Sequence, residues 1–102
     1  MHQFYIKEGH ILLGKGTAYW RILKALFKKG KLNAIGISKA TGLDYSYCHK
    51  RIQILKDLGF LMIKDHMKGS KGRLLKYYGL TDEGSFLVLA LFKLLDKEVK
   101  SK

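Results

Sequence analysis

The sequence contains no proline and a single cysteine. One cysteine excludes an intramolecular disulfide framework and suits a reducing environment. Cys48 falls at an apolar helical position, where a free cysteine packs as a small hydrophobic side chain. We therefore expect Cys48 to have a structural role rather than a redox role.

Targeting and membrane-spanning segments are also lacking. Residues 1–16 show no charged segment followed by an unbroken apolar run and a small-residue cleavage site. The longest apolar run, residues 86–95, is too short to span a bilayer and is interrupted by Lys93. We therefore expect an intracellular, cytoplasmic protein with no membrane partner.

No group of residues has the composition of a catalytic or metal site. The sequence has no Ser-His-Asp set, no phosphate-cradling glycine motif and no paired carboxylates in an evident site. His49 and His66 are potential ligands, but no cysteine or carboxylate joins them at a ligand spacing. The sequence therefore predicts no enzymatic activity, no metal and no cofactor, and it identifies no small-molecule effector.

Acidic residues are few, whereas basic residues are abundant. The 102 residues include 20 Lys plus Arg against 8 Asp plus Glu, which gives a formal net charge of +12. This balance favours a polyanionic partner. Nucleic acid fits better than a membrane surface, because the cations are spread along the chain and not gathered on one amphipathic helix. The length suits one domain, residues 1–102.

Residues 34–59 carry the pattern of two helices joined by a tight turn. Gly42 can take the left-handed conformation that ends a helix, and Asp44 can cap the next helix by accepting backbone N–H groups. The inner faces are formed by apolar residues at helical spacing: Ile35, Ile37 and Ala40 in the first helix, and Cys48, Ile52 and Leu55 in the second. This is a helix-turn-helix pattern.

The outward face of the second helix carries hydroxyl, amide, aromatic and basic side chains. Such side chains contact phosphates and base edges in a DNA major groove. An ordinary amphipathic hairpin also has a polar face, and Tyr47 fits either DNA contact or packing. We interpret the helix as a DNA-recognition helix with these contact residues: Tyr45, Ser46, Tyr47, His49, Lys50 and Gln53.

After Gly59 the pattern becomes that of a β-hairpin, residues 60–80. An apolar run, a glycine-rich basic loop and a second strand-like run follow one another. Glycines let the loop follow a groove closely, and its cations can meet phosphates or the negative potential of a narrow minor groove. A solvated turn would have the same composition. We predict DNA contact by Lys68, Ser70, Lys71 and Arg73.

The order of elements resembles that of winged helix-turn-helix DNA-binding proteins. The stretch KYYGLTDEG, Lys76 to Gly84, is similar to MarR-type and especially PadR-type transcription regulators. The resemblance covers residues 17–99 and implies a mainly α fold with a small β-hairpin, the wing. MarR-type regulators carry an arginine near the end of the wing, and Arg73 lies near that place without matching its register. The composition, scarce in Asn, Gln and Cys, resembles that of proteins of hyperthermophilic archaea and their viruses.

Further helices are predicted on both sides of this unit. Thr17 can cap a helix over residues 17–30, and Thr81 can cap one over residues 81–99. Residues 1–16 fit a strand pair, an extended arm or a frayed helix, and we expect them to pack against a partner subunit. The run FLVLALFKLL in the last helix is apolar nearly all round. The resemblance implies a dimer interface on this helix, formed by Leu87, Leu91, Leu94 and Leu95.

These patterns together predict a homodimeric, sequence-specific regulator of transcription that binds double-stranded DNA. We expect a repressor acting at a pseudo-palindromic operator. One alternative is an architectural DNA-binding protein of weak specificity, and another is a winged helix used to bind protein or RNA. Base-reading side chains at Ser46, Lys50 and Gln53 favour the regulator, whereas a purely lysine-coated face would favour coating.

Overall fold

The computed structural model describes the backbone of residues 3–6, 11–14, 17–69 and 71–100, and the side chains of residues 17–69 and 71–94. The predicted fold class, mainly α with a small β-hairpin, is confirmed. The elements of the described residues follow in this order: β1 Gln3–Ile6, β2 Ile11–Gly14, α1 Ala18–Lys29, β3 Lys31–Asn33, α2 Ala34–Thr41, α3 Tyr45–Asp57, β4 Leu61–Lys68, β5 Leu74–Leu80 and α4 Asp82–Lys100.

The turn between α2 and α3 is fixed by the two residues that the sequence singles out. Gly42 has φ 75°, a left-handed conformation that glycine adopts at little cost, and it ends α2. The carboxylate of Asp44 accepts the backbone N–H groups of Ser46 and Tyr47 at 3.1 and 3.3 Å. Both predicted caps are confirmed, and together they set the direction in which α3 leaves the turn.

Three strands form one antiparallel sheet in the order β3-β5-β4. Leu32 pairs with Tyr78, which attaches the segment between α1 and α2 to the hairpin. We call β4, β5 and the loop between them the wing. A separate antiparallel pair joins β1 to β2. Of the three structures that the sequence allows for residues 1–16, the strand pair is therefore the one observed.

The core lies where α1, α3, α4 and the wing meet. Trp20 of α1 contacts Phe92 of α4 edge to face, with ring centroids 5.1 Å apart. Large side chains at this centre exclude water and supply most of the stabilising burial. The buried hydrophobic residues of the described chain are Trp20, Ile22, Leu23, Leu26, Ile37, Cys48, Ile52, Leu55, Leu61, Tyr78, Leu80, Val88 and Leu91.

Helix α2 buries one narrow edge. Ile37 is fully buried, and Thr41, one turn later, is also buried and donates its hydroxyl to the Ile37 carbonyl at 2.7 Å. Ile35 is 50% exposed and Ala40 is exposed, so their predicted inward orientation is wrong. The eight-residue helix packs against α1 and α3, and its start also contacts β3 and β5, whereas Ile35, Lys39 and Ala40 are exposed.

The start of α4 is packed tightly against the end of α3. The Thr81 hydroxyl donates to the Gly59 carbonyl at 2.6 Å and accepts the Gly84 N–H at 3.0 Å. A Cβ at Gly84 would lie 2.1 Å from the Phe60 carbonyl oxygen, so this position has no room for a side chain. Close backbone contact therefore explains the glycine in the stretch that follows the wing.

The structure corrects the predicted interface on α4. Leu91 is 3% exposed and belongs to the core, so its predicted place in the interface is wrong. Leu87 is half-buried and lines a surface recess with Phe86, so its role in an interface stays a prediction. Leu94 is exposed, as predicted, and the side chain of Leu95 lies outside the described residues. Among the side chains of α4 that the structure describes, residues 82–94, the most exposed large apolar ones are Phe86 at 76% and Leu89 at 53%. No helix in the described part of the chain is long and apolar enough to cross a membrane.

Candidate nucleic-acid interface

The first turns of α3 present an exposed polar and aromatic surface. Ser46 and Lys50 are exposed, and the rings of Tyr45 and Tyr47 are nearly half exposed. Cys48 lies on the opposite side of the helix and is fully buried. The structure therefore places these four predicted contact residues on the outside, and their contact with DNA stays a prediction.

Cys48 is part of the core, as the sequence predicts. Burial raises the pKa of the Cys48 thiol, and a hydrogen bond with Thr41 acts in the opposite direction. A thiol that stays protonated is a poor nucleophile and a poor metal ligand. Within the residues whose placement is described, no three His, Cys, Asp or Glu side chains are grouped to hold a metal ion.

His49 is half-buried and stacks on Tyr45, with ring centroids 5.8 Å apart and ring planes at 28°. The two rings lie one turn apart on the side of α3 that faces the wing. Stacking restricts the rotation of both side chains, so less conformational entropy is lost when either one contacts a partner. The structure thus joins two predicted contact residues into one rigid surface.

Gln53 does not have the free outward amide that the helical periodicity predicts. Its side chain is half-buried, and its Nε2 donates to the hydroxyl of Tyr78 at 3.3 Å. Tyr78 is buried in the second half of β5. Gln53 therefore faces the groove beside β5 with its amide engaged, and its contact with DNA stays a prediction.

A groove of about 340 Å³ separates α3 from the wing. Tyr45, His49 and Gln53 form its α3 side, whereas Arg73 and Lys76 contribute positive charge from the wing side. The remaining lining residues are Asn33, Ala34, Ile35, Leu74, Leu75 and Tyr78. The groove thus brings together residues of the predicted recognition helix and of the predicted basic hairpin.

The tip of the wing is held by backbone hydrogen bonds. Gly69 N–H donates to the Arg73 carbonyl at 2.7 Å, and Gly72 N–H donates to the Gly69 carbonyl at 3.1 Å. Gly72 has φ 76°, which the turn requires and glycine allows. The cations Lys68, Lys71 and Arg73 are all exposed there, whereas Ser70 lies outside the described residues.

The acidic residue of the wing is paired. Lys31 Nζ lies 2.8 Å from the carboxylate of Asp65. The hydrogen bond from Lys31 lowers the pKa of that carboxyl, and the backbone N–H of His66 makes a smaller contribution in the same direction. Pairing cancels a negative charge that would repel a polyanion. The net positive potential of the wing therefore depends on β3 as well as on the loop.

Three residues of this surface are not among the contact residues predicted from the sequence. Arg51 places its guanidinium carbon 3.7 Å from the centroid of the Tyr47 ring, and Ile35 and Lys76 line the groove. A spacing of four residues puts Tyr47 and Arg51 on the same side of a helix, so that contact was detectable from the sequence. The groove residues come from elements far apart in the chain, and no local pattern predicts their meeting.

A second concentration of positive charge lies outside this groove. A recess of about 260 Å³ between α1 and the end of α2 is lined by Arg21, Lys24, Lys28 and Lys29 together with Ala25, Ala40 and Thr41. Arg21 donates to the Thr41 carbonyl, which joins the two helices. The sequence from residue 9 to residue 43 contains no Asp or Glu, so no neighbouring acid in the chain offsets these cations.

Comparison with known proteins agrees with this arrangement. A family model described as winged helix-turn-helix DNA-binding matches residues 20–62. The fold is a winged helix-turn-helix. No curated protein matches the chain in sequence.

Three solved structures illustrate the likeness. MepR, a transcription regulator of the Staphylococcus aureus multidrug efflux pump MepA, aligns with a TM-score of 0.70 at 18% identity, over 83% of this chain and 61% of MepR. A MarR family regulator from Silicibacter pomeroyi gives 0.68 at 17% identity, over 83% and 55%. Bacillus subtilis PadR, in a complex with operator DNA, gives 0.65 at 22% identity, over 72% and 45%.

At these identities the likeness establishes the fold. In each case this chain spans less than two thirds of the length of the solved structure. The archaeal or viral source suggested by the composition stays a prediction.

Proposed function

We propose that the protein is a sequence-specific transcription regulator that binds double-stranded DNA through α3 and the wing. The observation that carries this proposal is the groove between them, with aromatic and polar side chains on one side and cations on the other. We call the exposed predicted contact residues of α3 and the wing the recognition face: Tyr45, Ser46, Tyr47, Lys50, Lys68, Lys71 and Arg73. A helix fills the major groove of B-DNA, while a basic hairpin reaches phosphates or the minor groove beside it.

The comparisons support the same function. The matching family model is described as DNA-binding and covers α2 and α3 completely. MepR is a transcription regulator, and PadR was solved with operator DNA. A formal net charge of +12 adds long-range attraction for any duplex.

The salt dependence of duplex binding tests this proposal. Each phosphate neutralised by a cation contributes about −0.9 to the slope of log affinity against log salt. Contacts from α3 and the wing should therefore give a slope of several units, measured by fluorescence anisotropy with labelled duplexes at a series of salt concentrations. A salt-independent affinity, or an equal preference for an unrelated acidic protein, would contradict the proposal.

We further propose that the protein acts as a homodimer at a pseudo-palindromic operator and represses transcription. The exposed Phe86 and Leu89 of α4 are costly in water and gain free energy when a second copy covers them. A two-fold dimer presents two recognition helices to successive major grooves, about 34 Å apart. Selection of bound sequences from a random duplex pool should therefore return an inverted repeat. In a purified transcription system, a dimer bound at a promoter should block transcription.

Weakly specific DNA coating is the second candidate function, and the basic recess between α1 and α2 favours it. Cations in that recess lie apart from the recognition face and attract a backbone of any sequence. Replacing Lys24 and Lys28 by Gln should lower affinity for all duplexes equally. If the selected pool shows no preferred sequence and this variant loses most of its affinity, coating is the better description of the protein.

A further inference from the structure

The arrangement of Arg51 on α3 goes beyond general attraction for DNA. Its guanidinium carbon lies 3.7 Å from the centroid of the Tyr47 ring, which is the distance of a planar cation in contact with an aromatic face. Tyr47 is itself nearly half exposed, so the stack lies at the surface. Stacking uses the flat face of the guanidinium and leaves the N–H groups at its edge free to donate.

The hydrogen-bond donors of Arg51 are not used within the described chain. Its Nε is buried and has no acceptor among the described residues. The side chain as a whole is half-buried, and Nε is the one Arg51 nitrogen that is fully enclosed and unpaired within the described residues. Because Nε is buried, a partner at the surface can meet only the two terminal nitrogens, which form the end of the guanidinium.

The position of the stack on α3 limits what it can contact. Tyr45, His49 and Gln53 occupy the side of α3 that faces the wing. Helical spacing places Tyr47 on the other flank, beside the outward Lys50. Arg51 follows one turn after Tyr47, is half-buried and borders the buried Cys48, so it reaches the exposed side of α3 along the Tyr47 ring. A partner that meets the exposed side of α3 therefore meets Arg51 at its edge, with the plane of the guanidinium already fixed.

We propose that Arg51, held flat by Tyr47, is a guanine-reading side chain of α3. Guanine presents two acceptors, O6 and N7, side by side in the major groove, and the parallel donors of a guanidinium match them. Because the ring of Tyr47 restricts the long side chain before binding, less rotamer entropy is lost in the complex. This assignment rests on the proposed function, since it requires α3 to lie in the major groove.

Selection from a random duplex pool provides the first test, with the full chain and with Arg51→Lys. Lysine keeps the charge but lacks the planar pair of donors. The sequences selected by the wild type should contain a fixed guanine in each half-site. Arg51→Lys should lower the preference for that guanine by about 5- to 150-fold and should change the preference at other positions less. Tyr47→Leu removes the stack and should weaken the preference for guanine. Tyr47→Phe keeps the ring, so it should reduce that preference less than Tyr47→Leu does, even where loss of the hydroxyl lowers affinity for every sequence.

A second measurement leaves the protein unchanged. Replacing the selected guanine by 7-deazaguanine removes N7, so wild-type affinity should fall, and it should fall by more than Arg51→Lys affinity, because an ammonium lacks the planar pair of donors that matches N7 and O6. If Arg51→Lys loses the same affinity for all sequences, Arg51 contacts a phosphate and the proposal is wrong. The proposal is also wrong if 7-deazaguanine at every guanine of the site leaves wild-type affinity unchanged. If wild-type protein binds no duplex in a salt-dependent way, the proposed function itself fails, which is a different result from binding without guanine preference.

Discussion

The recognition face and the outer face of α4 are both exposed, but they differ in what they gain from a partner. We call the second surface the apolar face and define it by Phe86, Leu89 and Leu94. Apolar side chains gain free energy when another apolar surface removes them from water. Cations and hydroxyls lose hydration on burial and gain only where a partner supplies opposite charge or matched hydrogen bonds.

This difference separates two roles within one small unit. The apolar face needs only a complementary surface, and a second copy of the chain supplies one by symmetry. The recognition face needs a polyanion with acceptors at defined positions, which duplex DNA supplies. Exposure alone therefore does not identify a partner. The chemistry of the exposed side chains is what underlies the two proposals, self-association through α4 and nucleic-acid binding through α3 and the wing.

The largest expected effect contrasts two leucines of α4. Leu91 is 3% exposed, whereas Leu89 is 53% exposed. Leu91→Glu buries a charge without a partner and should lower the free energy of unfolding by about 4 kcal/mol or more, enough to unfold a marginal domain. Leu89→Glu should change the stability of the monomer by less than about 0.5 kcal/mol. Urea unfolding followed by circular dichroism measures both, and equal losses would show that the two sides of α4 are not distinct.

The next effect concerns self-association. Phe86→Glu combined with Leu89→Glu should weaken dimerisation by at least about 100-fold, because covering each side chain is worth about 1.5–3 kcal/mol when burial is complete. Sedimentation equilibrium gives the dissociation constant, and Lys93→Gln on the same helix is the matched control. A double variant that dimerises like the wild type would move the interface elsewhere, and residues 1–16 are the predicted alternative.

The sequence predicts the turn of the helix-turn-helix well because its signals are local. Gly42 and Asp44 act on backbone groups within three residues of themselves, so their caps can be read without knowledge of the fold. The wing is equally local, since its strands and glycine-rich loop follow one another. These elements were predicted in the correct order.

The sequence could not settle contacts between distant elements. The apolar run of α4 offers no contrast between its sides, so Leu91 was assigned to an interface that Phe86 and Leu89 fit better. Gln53 points outward by helical periodicity, yet β5 lies beside it and Tyr78, 25 residues later, accepts its amide. Periodicity describes one element at a time, whereas these outcomes depend on what packs against it.

A smaller effect separates base reading from positioning on the recognition face. If Gln53 positions the wing through Tyr78, then Gln53→Ala and Tyr78→Phe should each cost about 0.5–1.5 kcal/mol of stability, the net value of one hydrogen bond. Both should also weaken duplex binding to a similar extent for every sequence. Lys50→Ala, which removes an exposed cation, is the control and should leave stability unchanged. A change in base preference on Gln53→Ala but not on Tyr78→Phe would restore Gln53 as a base-reading residue.

The smallest expected effect concerns the ion pair at the border of the recognition face. The pKa of Asp65 is lowered in the folded protein, chiefly by the hydrogen bond from Lys31. The ion pair therefore stabilises the protein above the ordinary carboxyl pKa of about 4, and this stability is lost as the pH falls through the lowered pKa. Asp65→Asn removes the charge and keeps an oxygen that can accept the His66 N–H. The melting temperature of Asp65→Asn should therefore lie slightly below that of the wild type near neutral pH, and the difference should vanish in acid. Both groups are exposed and salt screens them, so added salt should shrink the difference as well.

A difference in melting temperature that persists in acid would show that Asp65→Asn acts through the shape of the wing and not through the ion pair. A gain in DNA affinity by Asp65→Asn that exceeds the loss on Lys31→Gln would show that Asp65, although paired, still repels the duplex.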